Sequence, residues 1–594
     1  MCYVGWMKRL SPQRSISAVI IVAFAATLCL PSAAISTSRE YDWSEGATGR
    51  TAAKGGTAKS YMVVAANPLA AQAGMMILKA GGNAADAAIA VQLVLNIVEP
   101  QSSGIGGGAF ALYWDAKTHA ASSFDGRETA PAAAMQNRFL TQDGKPMARM
   151  QAMVGGKSVG VPGVLRLLEL LHQRHGHLAW AKLFAPAIDL AENGFAVSPR
   201  LNSLLASDTA FQKNEAARAF YYEADGSAKA VGTVLKNPEF AKVLRLVATK
   251  GVDAFYNGAI AADVVRAVNG ATKNPGDMTV EDLAAYKAVE RAPVCGPYRG
   301  YKVCSMGPPS SGGIGIAQIL SALEPHDLRT LGPQTAASEH LLIEASRIAF
   351  ADRAVYIADP DRIPVPVDAL IAPDYLKARA ALINPARRTP TIEAGKVPLK
   401  ASLNLAPADS PELPATTHFS IVDKDGNAIG LTSSVENQFG SRLMVHGFVL
   451  NNQLTDFSYE DVAEHRTVAN RVEGGKRPRS SMSPTLVFNA TGKLEMVLGS
   501  PLGASIVPLV VKTLVCMIDW QMTPADAAAA PGSMSFGSGV VIEKPLEAIQ
   551  PQLESLGHQV RVGEFASGIH VIRVTKDGLI GGADPRREGV VLGK

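Results

Sequence analysis

A pair of threonines at the start of a β-pattern constrains this chain more than any other feature. Thr416 and Thr417 follow a polar, proline-rich run, residues 406–414, that is typical of an exposed loop. The β-pattern of residues 418–422 then leads through the turn DKDGN into a second strand over residues 428–432. A hydroxyl in this position can attack its own preceding peptide bond, and the freed α-amine then serves as its base. An ordinary surface hairpin is the alternative interpretation of the two threonines taken alone.

Length and charge narrow the class of protein. The chain has 594 residues, enough for several domains or for one large intertwined α/β unit. Its 47% apolar and 19% charged residues are ordinary for a globular protein. The net charge of +4 is small for this length, and no basic run is interleaved with aromatic residues. We therefore expect no nucleic-acid partner.

The first 34 residues resemble a targeting segment rather than part of the fold. A basic region precedes an apolar core, residues 16–30, that is too short to span a bilayer comfortably. Small residues, Ser32 to Ala34, then provide a cleavage site. The sequence predicts a secretory signal peptide over residues 1–34, a periplasmic or secreted protein, and no stable membrane anchor. An uncleaved anchor is the alternative.

Three cysteines remain after removal of this signal. Cys295 and Cys304 lie in a predicted hairpin whose two-residue turn is Arg299-Gly300, so that they face each other across the two strands. A disulfide between them forms if the geometry allows it, and two free thiols are the alternative. Cys516 lies in the apolar run of residues 506–518, which predicts a buried helix.

The N-terminal part of the chain mixes helices and strands. Residues 35–60 lack periodicity and predict a loose leader segment. A short strand over residues 62–66 and helices over residues 68–80 and 84–98 follow. The glycine run at residues 104–108 follows a helix and opens a strand, which is the reverse of a dinucleotide-binding loop. It indicates close backbone packing.

Several long motifs together resemble the γ-glutamyltranspeptidase family. The segment TTHFSIVDKDGNAIGLT is similar to the start of that family's small subunit, NNQLTDFS to its substrate strand, and KRPRSSMSPT to its carboxylate-binding turn. GGADPRREG is similar to its closing segment. The resemblance runs from about Tyr61 to the C-terminus. It implies an α/β fold, the four-layer αββα sandwich of N-terminal nucleophile hydrolases, built from both halves of a self-cleaved precursor.

The resemblance also implies a processing site and a reaction. The family cleaves before the first threonine of its TTH motif, here the Ala415–Thr416 bond. The expected products are a large subunit, residues 35–415, and a small subunit, residues 416–594, which form one intertwined heterodimer. Thr416 would take the γ-glutamyl group from glutathione or a related amide and pass it to water, an amino acid or a dipeptide. The resemblance implies no cofactor and no metal in this reaction.

Three residues are expected to support the nucleophile. Ser434 stands where the family commonly has a threonine that orients the nucleophile, and it keeps the hydroxyl. The backbone N–H groups of Leu502 and Gly503, in the turn GSPLG, are expected to hold the oxyanion. The family usually has two glycines after this proline, and Leu502 departs from that pattern.

The resemblance assigns the remaining candidates to substrate binding. Arg127 is expected to grip the α-carboxylate of the donor, helped by the hydroxyls of Ser480 and Ser481. Gln453 and Asp456, in NNQLTDFS, match positions that contact the α-amino group.

Glu436 stands where many members of the family have asparagine. Its carboxylate can accept a hydrogen bond from the same ammonium group and adds charge to the site.

Two other functions compete with this hypothesis. An acylase that removes glutaryl groups from β-lactam side chains would share the nucleophile but not the polar pocket, and Arg127, Gln453 and Asp456 favour the γ-glutamyl hypothesis. A non-enzymatic periplasmic binding protein is the second alternative, against which the intact TTH motif and Ser434 argue. A Ser-His-Asp hydrolase is not supported, because no Gly-x-Ser-x-Gly motif is present.

Overall fold

Two stacked antiparallel sheets form the centre of the protein. The computed structural model describes residues 52–397, 404–408, 415–463, 465–536 and 539–594. In chain order, the strands of the two sheets are β1 (Lys54–Ala58), β2 (Met62–Ala65), β3 (Gly108–Asp115), β4 (Ala120–Gly126), β5 (Val289–Arg291), β6 (Val294–Tyr298), β7 (Tyr301–Ser305), β8 (Thr416–Val422), β9 (Ala428–Ser434), β10 (Thr485–Phe488), β11 (Leu494–Gly499), β12 (His570–Thr575), β13 (Gly578–Ala583) and β14 (Val590–Gly593).

Each sheet has seven strands drawn from both ends of the sequence. The strand order is β1-β13-β12-β11-β10-β7-β6 in the first sheet and β14-β2-β8-β9-β3-β4-β5 in the second. Strands that precede and follow the predicted cleavage bond therefore pair directly: β8 lies beside β2, and β9 lies beside β3. The two halves of the chain build one structural unit.

Helices cover the outer faces of both sheets. In chain order they are α1 (Pro68–Lys79), α2 (Ala84–Val98), α3 (Arg149–Met153), α4 (Val164–His175), α5 (Ala185–Asn193), α6 (Pro199–Ser207), α7 (Glu215–Tyr221), α8 (Pro238–Lys250), α9 (Asp253–Tyr256), α10 (Ala259–Asn269), α11 (Val280–Ala285), α12 (Gly312–Leu323), α13 (Leu328–Leu331), α14 (Ala336–Tyr356), α15 (Val367–Leu370), α16 (Pro373–Ala380), α17 (Ile506–Ile518), α18 (Pro524–Ala529) and α19 (Gln550–Ser555). None of the helices in the described parts of the chain is both long and apolar enough to cross a bilayer.

Shorter strands lie outside the two seven-stranded sheets. They are Phe195–Ala196, Val234–Leu235, Leu405–Ala406, Met444–Val445, Phe448–Val449, Val462–Ala463, Arg466–Val468, Ser533–Phe536, Gly539–Glu543 and Gln559–Gly563.

The core follows this layering. Phe419 and Leu431 lie on one face of the second sheet and pack against the apolar residues of α1 and α2. Phe110 and Leu112 lie on the opposite face of that sheet and join Val497 of the first sheet in a second cluster, to which α12, α14 and α17 contribute. Successive side chains of a strand point to opposite faces of the sheet, so the second sheet separates these two hydrophobic clusters. The predicted four-layer αββα sandwich is confirmed.

The predicted hairpin and its disulfide are present. Cys295 and Cys304 are opposite each other in β6 and β7, and a disulfide joins them with a Cα–Cα distance of 4.0 Å. Arg299 and Gly300 have φ angles of 49° and 82°, as a tight two-residue hairpin turn requires. Cys516 is a buried free thiol in α17, as predicted.

Two sequence predictions about local structure are wrong. Residues Lys54–Ala58, within the predicted loose leader, form β1, because they pair with Gly578–Ala583 at the far end of the chain. Local periodicity cannot reveal such a distant partner. The rest of that leader up to residue 51, and the predicted signal peptide, lie outside the described residues.

The second correction concerns NNQLTDFS, which was predicted to be a strand. The structure has a 3₁₀ helix over Gln453–Asp456 instead. The side chain of Asn451 accepts a hydrogen bond from the backbone N–H of Gln453 at 3.0 Å, a local contact that competes with strand pairing.

Candidate active site

Thr416 lies at the end of the central hairpin, directly beside Ser434. The register of β8 and β9 pairs the first residue of one strand with the last residue of the other. The Thr416 hydroxyl donates to the Ser434 hydroxyl oxygen at 3.3 Å, and Ser434 donates to the Ala415 carbonyl at 2.9 Å. We call Thr416, Ser434 and the Ala415 carbonyl the nucleophile cluster. Ser434 thus contacts both the attacking group and the carbonyl that it would attack.

Buried polar groups fix the backbone around Thr416. The guanidinium of Arg587 donates to the Thr416 carbonyl at 2.7 Å, and the Thr417 hydroxyl donates to Glu99 at 2.9 Å. Burial raises the pKa of the Glu99 carboxyl, although Arg200 and Arg587 oppose this shift. Sequence reasoning did not assign a role to Arg587 or Glu99. Arg587 lies in the motif GGADPRREG, whose similarity to the family's closing segment was the one feature of the sequence that could have pointed to it.

The GSPLG turn lies on the side of β8 to which Thr416 points. A Cβ on Gly499 would lie 2.4 Å from His418, so this ring packs directly against the start of the turn. Thr416 and His418 are two residues apart on one strand and therefore face the same side. Neither Leu502 nor Gly503 donates its backbone N–H to an acceptor among the described residues. These two N–H groups are available to a ligand in the site.

Leu502 adopts a backbone conformation that normally favours glycine. Its φ and ψ angles are 109° and 44°, and its side chain is 2% exposed. The side chain packs in the core beside Ile506. Burial of this side chain compensates for the strained backbone, which explains how the turn keeps its shape without the family's usual glycine.

A second group of charged residues lies where β4 ends. Arg127 donates to the Asp456 carboxylate at 2.6 Å and to the carbonyls of Pro478 and Arg479 at 3.1 and 2.7 Å. Glu128 lies beside it, with 3.7 Å between its carboxylate and the Arg127 guanidinium. We call Arg127, Glu128 and Asp456 the ion cluster. All three side chains are buried.

Glu128 is a site residue that sequence reasoning missed. Neither of its carboxyl oxygens has a hydrogen-bond partner among the described residues. Burial raises its pKa to about 8, while the neighbouring Arg127 acts in the opposite direction. Its position directly after Arg127 in RETAP was the only signal in the sequence.

Strand pairing sets the separation of the two clusters. Ser434 lies between Thr416 on one side and Gly108 on the other. A Cβ on Gly108 would lie 2.4 Å from the Glu128 carboxylate, so that this carboxylate packs against Gly108. Neighbouring strands are about 4.8 Å apart, which places the backbone of Gly108, against which Glu128 packs, about 10 Å from the backbone of Thr416.

Gln453 and Asp456 contact each other, and Glu436 reaches the same segment through Asn452. Gln453 donates to the Asp456 carboxylate at 3.2 Å. The backbone N–H of Glu436 donates to Ser434 at 2.8 Å, while its carboxylate accepts from the Asn452 amide. Glu436 therefore connects the nucleophile cluster to the 3₁₀ helix that carries Asp456.

Ser480 and Ser481 lie in the turn that contacts Arg127, but their hydroxyls contact other groups. The Ser480 hydroxyl accepts from the Met482 N–H at 3.2 Å, and the Ser481 hydroxyl accepts from Arg353 at 3.1 Å. The backbone of this turn, through the Arg479 carbonyl, contacts Arg127 instead. Arg353 was not identified from the sequence.

An αββα sandwich with a nucleophilic threonine at the start of a central strand defines an N-terminal nucleophile hydrolase. A family model described as gamma-glutamyltranspeptidase matches residues 70–594. The chain belongs to this family, which confirms the resemblance identified from the motifs.

Individual relatives agree with this assignment. The chain is 38% identical over 544 residues to the glutathione hydrolase proenzyme of Escherichia coli (strain K12), covering 89% of this chain and 91% of that protein. It is 35% identical over 553 residues to the glutathione hydrolase proenzyme of Bacillus subtilis (strain 168), covering 90% and 92%. Among solved structures, a cephalosporin acylase from Bacillus halodurans matches with a TM-score of 0.79 and 27% identity over 92% of this chain and 98% of that one.

Proposed function

We propose that this protein is a γ-glutamyltransferase and glutathione hydrolase that first cleaves itself at the Ala415–Thr416 bond. The observation that carries the proposal is the position of Ser434 between the Thr416 hydroxyl and the Ala415 carbonyl. Membership of the γ-glutamyltranspeptidase family supplies the reaction class.

Self-cleavage follows from the contacts of the nucleophile cluster. The Thr416 oxygen attacks the Ala415 carbonyl carbon while Ser434 donates to the carbonyl oxygen, where negative charge develops. The proton of the hydroxyl passes to the Thr416 nitrogen as the peptide bond breaks, which leaves an ester. Water hydrolyses this ester and releases a large subunit, residues 35–415, and a small subunit, residues 416–594.

The same hydroxyl then performs the acyl transfer. The new α-amine of Thr416 accepts the hydroxyl proton as the oxygen attacks the γ-carbonyl of the donor, and the amine of the donor leaves with a proton. The N–H groups of Leu502 and Gly503 stabilise the oxyanion. Water or an amino-acid or dipeptide acceptor then attacks the ester and regenerates Thr416.

The distance between the two clusters suits a γ-glutamyl donor. An extended glutamyl group has about 5 Å between its two carboxyl carbons, and a contact of about 3 Å at each end brings the span to about 11 Å, close to two strand spacings. Arg127 binds the α-carboxylate, with the turn of Ser480 and Ser481 holding Arg127 in place. Asp456 and Glu436, with Gln453, bind the α-ammonium.

A glutaryl acylase is the second candidate, since an acylase shares this fold. A glutaryl donor has the same length and the same terminal carboxylate but lacks the ammonium group. Binding it would leave Glu436 and Asp456 without the ammonium group that both would contact, and Arg127 would remain as the cation beside Asp456. Such a loss costs about 2–5 kcal/mol, so the acidic pair favours the γ-glutamyl donor.

The comparison of two anilides tests the proposed donor. We expect the processed enzyme to prefer γ-glutamyl anilide over glutaryl anilide by at least about 30-fold in kcat/KM. Glu436→Asn should reduce this ratio only modestly, because Asp456 remains. Equal turnover of the two anilides by the wild-type enzyme would contradict the γ-glutamyl assignment and support the acylase.

Secretion into the periplasm or the medium completes the proposal. The basic and apolar pattern of residues 1–34 supports it. Cell fractionation should recover activity outside the cytoplasm, with a large subunit that starts at Ile35. A large subunit that still begins at Met1 would contradict it.

A further inference from the structure

A buried group of two histidines and a glutamate lies far in sequence from the active site. His340 and Glu344 are four residues apart on α14 and therefore lie on one face of that helix. His558 joins them just before the strand Gln559–Gly563. All three are buried, and one potential ligand atom of each lies within 4.8 Å of the others. We call these three residues the histidine cluster.

The hydrogen bonds of His340 leave a lone pair directed into the cluster. Its Nε2 atom lies 2.8 Å from the carbonyl oxygen of Asn384, which can only accept a hydrogen bond. Nε2 therefore carries the proton, and Nδ1 faces His558 with a lone pair. A histidine that donates one ring N–H to a backbone carbonyl and turns the other nitrogen inward has the arrangement typical of a metal ligand.

His558 presents its Nε2 atom to the same point. The distance from this atom to Nδ1 of His340 is 2.7 Å, so one proton lies between two nitrogens. Because Nδ1 of His340 accepts, Nε2 of His558 carries this proton, and the other nitrogen of His558, Nδ1, has no partner among the described residues.

Glu344 supplies the anionic ligand. Its carboxylate accepts from Arg347 and from the backbone N–H of Thr389 at 2.8 Å, which fixes its position in the cluster. Carboxylate oxygens have further lone pairs for a cation. Arg347 and Arg388 place positive charge near His558, which opposes every cation alike. The histidine cluster contains a single carboxylate, so it disfavours Ca²⁺ and Mg²⁺, which need several anionic oxygens. Neutral imidazoles favour ions such as Zn²⁺.

We propose that Nδ1 of His340, Nε2 of His558 and the carboxylate of Glu344 bind one transition-metal ion of the Zn²⁺ type. The ion takes the place of the proton between the two rings, and that proton moves to Nδ1 of His558. The ring nitrogens must separate to about 3.3 Å for tetrahedral Zn–N bonds of about 2.0 Å, a shift of a few tenths of an ångström. Water completes the coordination.

The site would connect the two subunits of the processed enzyme, a consequence that rests on the proposed cleavage. His340 and Glu344 belong to residues 35–415, whereas His558 belongs to residues 416–594. The metal ion is thus a structural link between the subunits and takes no part in the acyl transfer.

Titration with ZnCl₂ in competition with a chromophoric chelator tests the site. The untagged protein is stripped with EDTA, desalted and titrated with ZnCl₂. We expect one bound Zn²⁺ per copy of the 594-residue sequence, whether it is cleaved or not. His340→Gln and His558→Gln should each weaken Zn²⁺ binding by about 10-fold or more. His119→Gln, a change at an exposed turn, is the matched control and should leave binding unchanged. Turnover of γ-glutamyl anilide by the metal-free variants checks that they are folded.

Two further measurements keep the test decisive. Zn²⁺ should raise the melting temperature of the wild-type protein but not of Glu344→Gln, because the ion binds only the folded chain with its ligands intact. The uncleaved Thr416→Ala chain should bind Zn²⁺ equally well, so a failure of the cleavage proposal does not affect this result. Absence of stoichiometric binding by the wild-type protein, or binding as tight as the wild type by both histidine variants, would overturn the metal site.

Discussion

The nucleophile cluster and the ion cluster are held in place by different forces. Thr416 and Ser434 are neutral hydroxyls that the register of one hairpin sets opposite each other. Arg127 and Asp456 are 329 residues apart in sequence and are joined by a buried ion pair. Backbone pairing therefore positions the hydroxyls that we propose to react, whereas paired charges position the groups that we propose to recognise the donor. Loss of a hydroxyl should affect chemistry, and loss of a charge should affect binding and folding as well.

Thr416→Ala should produce the largest effect. Without the hydroxyl there is no nucleophile, so we expect kcat/KM for γ-glutamyl anilide to fall by at least about 10⁴-fold. The melting temperature should change little, because Thr416 contributes one weak side-chain hydrogen bond. Thr417→Ser is the matched control, since it keeps the hydroxyl that contacts Glu99. Residual activity within tenfold of the wild type would assign the nucleophile to another residue.

Arg127→Gln should produce the next largest effect and should lower stability too. The change removes the cation of the ion cluster and leaves Asp456 buried without it, which costs about 2–5 kcal/mol. We expect kcat/KM to fall by about 30- to several-thousand-fold, with much of the loss in KM, and the melting temperature to fall. Arg245→Gln, at an exposed pair with Glu192, is the control and should have little effect. An unchanged KM would show that Arg127 does not bind the donor.

The difference between local strand pairing and long-range ion pairing also explains which parts of the site could be predicted from the sequence. The hairpin of Thr416 and Ser434 was predictable because alternation, a glycine-containing turn and strand register are local properties. The ion cluster was not: only the family resemblance singled out Arg127 and Asp456, and the strand expected for NNQLTDFS is a 3₁₀ helix. Glu128 and Arg587 were missed because their roles depend on burial and on partners distant in sequence. β1 was missed for the same reason.

Ser434→Ala should separate cleavage from folding. This change removes one hydrogen-bond donor to the Ala415 carbonyl, and loss of one such donor slows acyl chemistry by about 10²–10³-fold. We expect accumulation of uncleaved chain with a nearly normal melting temperature. Ser434→Thr keeps the hydroxyl and should restore cleavage. Cleavage of the alanine variant at the wild-type rate would exclude this role.

Glu128→Gln should produce the smallest effect, a change in stability whose size depends on pH. The pKa of Glu128 is raised to about 8 in the folded protein, whereas the unfolded chain releases this proton near 4.5. Between these values the unfolded chain binds fewer protons, so Glu128 lowers stability progressively as pH rises and the loss levels off above about 8.

The glutamine variant lacks this titration. Its melting temperature, relative to that of the wild type, should therefore rise by about 2–4 °C between pH 5 and pH 8 and stay constant above. Differential scanning fluorimetry across this pH range measures the difference. A difference that is independent of pH would show that Glu128 is ionised throughout.

The intact masses of the purified wild-type and Thr416→Ala proteins test the central claim, self-cleavage by Thr416, most directly. The account predicts two wild-type polypeptides, the smaller of which begins at Thr416 and ends at Lys594, and a single uncleaved chain for the variant. Cleavage of the variant at the Ala415–Thr416 bond, or a wild-type small subunit that begins at any other residue, would contradict it.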